Sequence, residues 1–304
     1  MTRGDSVLLP HCFVTLVIEH FRFASNSIKT ASGLTYNKFL APEMLRLSDN
    51  PLQIGPMADH LMLAKRSVVS MLLDMEDMGL VRKSVMPKDA RKMSVSATAT
   101  GIQTANEASR RLHDSVSRVF WDNLLRQEYY EIMCPYVVEA TNLLRGHKTT
   151  GVRLHDDANC LPIGLMTFWR AIIGEWDRLI HRESSLSLGS YRALAAVADN
   201  PICTPSDVAE ELCIQRSRVA MDKRPLLAQG LITQTPALSD ARKTLFGPTG
   251  KGVRLAGRLT RAISSASNEA HGNVPNEGMI AVNVWHARAY ANIRAYRCEL
   301  GPSV

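Results

Sequence analysis

AKRSVVSMLLDMEDMGLVRKSVMPKDARKMSVSATATG, residues 64–101, is the stretch from which the rest of the chain can be read. Lys65, Arg66 and Ser67 open it with two cations and a hydroxyl. Val68, Met71, Leu72 and Met75 follow at three- and four-residue spacings, which predicts a helix with one buried face. Gly79 supplies a C-terminal stop and Leu80 an apolar seal. Beyond them, Leu80–Val85 and Met93–Ala97 read as two short strands joined by a turn over Met86–Lys92. A helix of this size fits a DNA major groove, and a hairpin with a cationic tip can reach the neighbouring backbone or minor groove.

The segment just before it completes a helix-turn-helix. Met57, Ala58 and Leu61 belong to a short helix, Pro56–Leu61, that can pack beneath the next one, and Leu63 with Ala64 makes the turn. The pieces together read as a winged helix. They resemble the MarR (multiple antibiotic resistance regulator) family of winged-helix transcription factors. The likeness is carried by Ala58-x-x-Leu61, Ser67-Val68, Gly79-Leu80-Val81, Asp89-Ala90-Arg91 and Thr98-x-x-Gly101. Its specific part is the Asp-x-Arg wing between the Gly and Thr-x-x-Gly landmarks. Met62 stands where that family usually has glycine, which predicts a turn built differently.

The 304 residues and 45% hydrophobic content suffice for two cores of ordinary size, and 6% aromatics favour helices over an all-β design. A net charge of +7 permits a polyanionic partner without proving one. Lysines and arginines divide evenly, 18 before Thr150 and 18 after it, so no basic tail explains the excess. The six cysteines form no Cys-x-x-Cys pair, which argues against a disulfide framework or a cysteine-built zinc site and suits a reducing cytoplasm. The apolar run Cys12–Ile18 is too short to span a membrane and no signal-peptide pattern follows, so a soluble, cytoplasmic protein is expected.

Residues 1–10 read as a leader, His11–Ser27 and Tyr36–Leu47 as helices, with Pro42 in the first turn of the second or kinking it. After Gly101 come a long helix, Ile102–Arg126, another at Tyr129–Leu144, and a polar linker at Gly146–Asn159. The same order then returns. Leu161–Arg182 and Leu188–Ala198 read as helices, and Asp199-Asn200-Pro201 repeats Asp49-Asn50-Pro51. Ala209-x-x-Leu212, Gly230-Leu231, Asp240-Ala241-Arg242-Lys243 and Gly252 repeat Ala58-x-x-Leu61, Gly79-Leu80, Asp89-Ala90-Arg91-Lys92 and Gly101, each 151 residues later. One register held across so many landmarks is a tandem duplication, which divides the chain at 1–148 and 149–304. The fold class expected is mainly α with small β-hairpin wings. In the second copy Asp222 and Lys223 replace Met71 and Leu72, and Pro225 predicts a shorter or kinked helix at a cost of roughly 3 kcal/mol. Met279–Leu300 reads as a final helix.

Candidate major-groove residues are Lys65, Arg66, Ser67 and Ser70, with Arg216, Ser217 and Arg218 in the second copy. Helix-start hydroxyls and amides suit phosphates, and arginine can fork onto guanine. Lys88, Arg91 and Lys92, with Arg242 and Lys243, are the wing candidates, and the resemblance implies that Arg91 and Arg242 enter the minor groove. Asp89 and Asp240 would orient the wings through salt bridges. The bland alternative is a solvated helix start and a charged turn.

No catalytic or metal constellation stands out. Gly247–Gly252 lacks the spacing and hydroxyl of a phosphate-cradling loop, and Thr249 reads instead as a helix cap. His11, His20, His147, His155 and His181 show no ligand spacing. Cys12 falls where peroxide-sensing members of the family carry a cysteine, although a small buried hydrophobe is the commoner role. Trp121, Trp169, Trp176 and Trp285 read as core.

MarR-type proteins work as homodimers that read successive major grooves, so the resemblance implies one chain acting as an intramolecular pseudodimer, with further oligomerisation left open. The expected partner is double-stranded DNA, the expected role a repressor, and the expected effector a small aromatic or lipophilic molecule. The alternatives are a protein-interaction adaptor with degenerate winged helices, or a non-specific DNA-binding protein.

Overall fold

The computed structural model describes residues 9–48, 51–86, 89–121, 161–237, 240–270 and 276–300, with Val137, Ala140, Thr141 and Leu144. The linker read at 146–159, most of the helix read at 129–144, and Lys88 lie outside the described residues. What is described is mainly helical with small antiparallel hairpins, as expected. It divides into two compact units, one of residues 21–118 and 123–171, the other of residues 1–20, 119–122 and 172–304. Among the described residues, no helix is long and apolar enough to cross a membrane.

The first unit begins inside α1 (Pro10–Ser32), at Phe21. Ser32 Oγ ends that helix by donating to the Ile28 carbonyl (2.8 Å) and accepting from the Leu34 N–H (3.3 Å). In α2 (Tyr36–Arg46), Pro42 sits in the interior rather than in the first turn, and the helix runs on past it. Losing one backbone bond there is offset by burial along the whole element, Phe39 and Ala41 being fully inaccessible. The Glu43 carboxylate, also fully buried, accepts both arms of the Arg46 guanidinium (2.6 and 2.9 Å).

Next come β1 (Leu52–Gln53), α3 (Ile54–Leu61), α4 (Lys65–Asp77), β2 (Val81–Met86), β3 (Asp89–Ala97) and α5 (Ala99–Phe120). The turn between α3 and α4 is not built differently for lack of glycine. Met62 itself takes the left-handed conformation, φ 51° and ψ 42°. Its N–H reaches the Asp59 carbonyl (3.3 Å) and the Leu63 N–H reaches that of Ala58 (3.0 Å), a Schellman closure. A side chain in this region costs about 1–2 kcal/mol. We therefore expect Met62→Gly, at a half-buried site, to stabilise the protein by about 1 kcal/mol after the entropy cost of glycine, read as a raised denaturation midpoint. A lowered midpoint would show that Met62 contributes packing instead.

Helix α4 buries Val68, Met71, Leu72 and Met75, as its spacing predicts. Gly79 (φ +71°) and Leu80 close it with N–H bonds to the carbonyls of Glu76 and Met75, both 2.9 Å. Strand β2 is shifted by one residue from the expected Leu80–Val85, and β3 is longer than expected. Asp89–Lys92 lie in β3 rather than in a turn, since antiparallel pairing with β2 runs from Val81↔Ala97 to Met86↔Asp89. Strand β1, which no sequence pattern signalled, adds Leu52↔Val95 to make a three-stranded sheet ordered β1-β3-β2.

The wing is then locked to the next helix. Thr98 Oγ1 donates to the Gly79 carbonyl (2.6 Å) and caps α5 by accepting from the Gly101 N–H (3.0 Å). Gly101 must be glycine, because a Cβ there would lie 2.0 Å from the Leu80 carbonyl oxygen.

The second unit takes the first half of α1, the end of α5 and α6 (Leu161–Glu183) from Ile172 onward. It continues with α7 (Leu188–Asp199), α8 (Pro205–Glu211), α9 (Arg216–Ala228), β4 (Ile232–Ala237), β5 (Asp240–Pro248), α10 (Gly250–Ala270) and α11 (Asn276–Leu300). Its local solutions match those of the first. Cys213 is left-handed (φ 53°) where Met62 is, and Gly230 (φ +62°) where Gly79 is. Thr249 caps α10 through the Gly252 N–H (3.0 Å), and a Cβ on Gly252 would meet the Leu231 carbonyl at 1.9 Å. The glycine-rich run 247–252 is thus the wing–helix junction. Cys203 bridges Phe246 in the place of the Leu52↔Val95 pair.

The expectation of a shortened α9 does not hold, since α9 and α4 each have 13 residues. Pro225 sits inside α9, whose inner face still buries Val219 and Leu226 completely or nearly so (1% and 0% exposed). That burial outweighs the proline penalty. Of the tryptophans, Trp121, Trp169 and Trp176 are buried as core residues, and Trp285 is half-buried.

His20, fully buried against the Phe120 ring (4.7 Å), is pushed down to a pKa of about 3 by burial. The unfolded chain protonates near pH 6.5 while the folded state stays neutral to about pH 3, so stability drains away as pH falls through that window. We expect His20→Phe to flatten this acid limb, recovering about 2 kcal/mol at pH 5 relative to wild type. Parallel acid profiles for the two proteins would show that His20 is not buried neutral.

Candidate nucleic-acid interface

The two short helix starts are built alike. Ala64 and Gln215 stand at the N-cap positions of α4 and α9 in extended conformation, and neither offers a side-chain cap. No N-cap side chain therefore competes for the first amides of either helix, Lys65–Arg66 and Arg216–Ser217, where the helix dipole favours an anion. By contrast α8 is fully capped, Thr204 and Asp207 exchanging side-chain bonds with each other's N–H groups (2.7 and 3.2 Å).

On α4, Lys65, Arg66, Ser67 and Ser70 are all exposed. Spacing puts Arg66, Val69, Ser70 and Leu73 on one solvent face, opposite the buried stripe. Val69 and Leu73 are 41% and 49% exposed, and the sequence reading, which took only charged and hydroxyl residues as contact candidates, did not include them. On a groove-reading face they suit the methyl group of thymine. Lys83 ties β2 back to this helix, its Nζ lying 2.7 Å from Glu76, which holds the Glu76 carboxyl below its usual pKa.

On α9, Arg216, Ser217 and Arg218 are exposed, but they are not equivalent. Arg218 Nε donates to the Asp222 carboxylate (3.1 Å), which is itself 5% exposed in the slot that Met71 fills in α4. A buried carboxylate requires a cation beside it, so Arg218 is committed to this pair. Arg192, buried in α7, adds favourable charge toward the same Asp222 while donating to Thr15 Oγ1 (3.3 Å). The exposed face of α9 also carries Met221 (58% exposed) and Arg224, which take the places of Ser70 and Leu73. Arg224 was not among the expected contacts, since proline next to it obscured the helical register.

In the second wing Arg242 and Lys243 are exposed. Asp240 accepts from the Arg242 backbone N–H (3.0 Å), so it shapes the strand start through the main chain. In the first wing the backbones of Asp89, Arg91 and Lys92 belong to β3, while their side chains and Lys88 lie outside what the structure describes.

No family model matches the chain, and no curated protein does. Among solved structures it is similar to a MarR protein from Peptoclostridium difficile DA00132, with 16% identity over 48% of this chain and 94% of that one, at a TM-score of 0.43. It is also similar to the transcriptional regulator BldR from Sulfolobus solfataricus, with 21% identity over 42% and 93% of the two chains and a TM-score of 0.37. CouR from Rhodococcus jostii RHA1, solved bound to p-coumaroyl-CoA, shares 20% identity over 42% and 87%, at a TM-score of 0.35.

Proposed function

We propose that the chain is a sequence-specific double-stranded DNA-binding regulator of MarR type, acting as a single-chain pseudodimer. The observation that carries this reading is the pair of uncapped, exposed helix starts, Lys65-Arg66-Ser67 and Arg216-Ser217-Arg218. Each follows a left-handed turn and precedes a hairpin, in one 151-residue register. Tandem duplication supplies two readers from one gene product, and the junction at 146–159 makes their association intramolecular. Lys88, Arg91, Lys92, Arg242 and Lys243 serve as wing cations, with Asp89 and Asp240 shaping the strands that carry them. The role is that of a repressor released by a small aromatic or lipophilic molecule.

Binding to a library of random duplexes, followed by mass determination of the selected complex, tests this directly. One chain per duplex of about two half-sites is expected. A strict need for two chains would overturn the pseudodimer. Equal affinity for every duplex would favour non-specific DNA binding, and no binding at all would favour a protein-interaction adaptor.

A further inference from the structure

Three side chains that the DNA reading does not use meet in the second unit. His11 and Cys12 sit in the first turn of α1, and Glu211 ends α8. His11 Nε2, Cys12 Sγ and a Glu211 carboxylate oxygen all lie within 4.8 Å of one another. The first two residues are buried, at 1% and 5% exposure, and Glu211 forms the rim. The sequence could not show this, because Glu211 is 199 residues from Cys12.

We propose that His11, Cys12 and Glu211 form a binding site for a thiophilic divalent cation, zinc by chemical class, with Asp199 orienting the imidazole. Thiolate, imidazole and carboxylate are the donor set of four-coordinate zinc with one position left for water, and sulfur with nitrogen disfavours magnesium and calcium. The Nε2–Sγ separation of 3.4 Å already matches an edge of such a tetrahedron, about 3.3–3.5 Å. The Nε2–Oε1 distance of 2.5 Å must open and the Sγ–Oε1 distance of 4.0 Å must close, each by less than about 1 Å. Both changes fall to the Glu211 side chain at the rim.

On the far side of the ring, His11 Nδ1 lies 3.1 Å from Asp199 Oδ2. A carboxylate on the second ring nitrogen fixes the tautomer that presents Nε2 to a metal. Tyr290 Oη donates to the Glu211 carbonyl (2.6 Å), holding the end of α8 in place. Without metal the space between Nε2 and Oε1 is held by a proton. Burial opposes charge on His11, but hydrogen bonds to Asp199, Cys12 and Glu211 outweigh it and raise its pKa to about 11. Zinc takes His11 as neutral imidazole and Cys12 as thiolate, so the proton on His11 Nε2 leaves as the metal enters. Metal would fasten α8, just before the left-handed Cys213, to the start of α1. The site stands whether or not the chain binds DNA.

Cobalt(II) titration of the full chain, stripped with chelator, provides the test. One cobalt per chain is expected, with a thiolate-to-metal charge-transfer band and the strong visible bands of four-coordination, displaced by zinc. Cys12→Ser, nearly isosteric, should abolish the charge-transfer band and weaken affinity by about 100-fold. Asp199→Asn should keep the band and weaken affinity about 10–100-fold. Cys203→Ser should change neither, and thermal melts in chelator establish that each variant is folded. Absence of the band in wild type, or its survival in folded Cys12→Ser, would overturn the proposal.

Discussion

Gly101→Ala and Gly252→Ala should each destabilise the protein by about 4 kcal/mol or more, among the largest effects of any single methyl group here. The added Cβ would lie 2.0 Å from the Leu80 carbonyl oxygen in one case and 1.9 Å from that of Leu231 in the other. Normal carbon–oxygen contact is about 3.3 Å, and both partners are backbone, so no side-chain rotation relieves the clash. Relief requires separating α5 from the end of α4, or α10 from the end of α9. That separation breaks the Thr98 bond to Gly79 and the Thr249 bond to Gly230. Gly174 on α6 is the internal control, since nothing lies within 4 Å of a Cβ there. Gly174→Ala should gain about 0.5–1 kcal/mol from helix propensity alone. Urea unfolding with hydrogen exchange of the wing amides reads both effects. If Gly101→Ala behaved like Gly174→Ala, the close approach would be wrong.

On the proposed reading, the second large effect is the inequality of the two helix starts. Lys65→Ala with Arg66→Ala should weaken binding to the selected duplex by about 100-fold, two exposed cations each contributing about 1–3 kcal/mol. Arg216→Ala with Arg218→Ala should cost only about tenfold, because Arg218 is already held by Asp222 and little is left for guanine. Identical readers impose a palindrome, whereas these two present Arg66, Val69, Ser70 and Leu73 against Ser217, Ala220, Met221 and Arg224. The selected site should therefore be bipartite and non-palindromic. A wrong base pair under α4 should cost roughly 1–3 kcal/mol, with smaller penalties under α9. A perfect palindrome with equal losses from the two double mutants would show that Asp222 does not disable the second reader.

The residue spacing of α4, the stop at Gly79, the caps at Thr98 and Thr249 and the 151-residue register were all legible in the chain itself. Apart from the register, which compares one half of the chain with the other, these signals act within one or two turns of backbone, so the same local physics that writes them also builds the elements. Tertiary structure alone decided the rest. Met62 and Cys213 are held left-handed because two helices must meet at that turn, a demand that outweighs about 1–2 kcal/mol of local strain. Pro42 and Pro225 remain inside helices because buried neighbours such as Phe39 and Leu226 stabilise what the missing N–H weakens. Strand β3 reaches back to Asp89 because Met86 is there to pair with it across a register shift, and β1 exists only because Val95 accepts it. Asp222 became a buried charge, and His11, Cys12 and Glu211 became neighbours, through packing between segments as far as 200 residues apart. Periodicity and turn chemistry carry no information at that separation, since they record what a segment prefers and not what it will be pressed against.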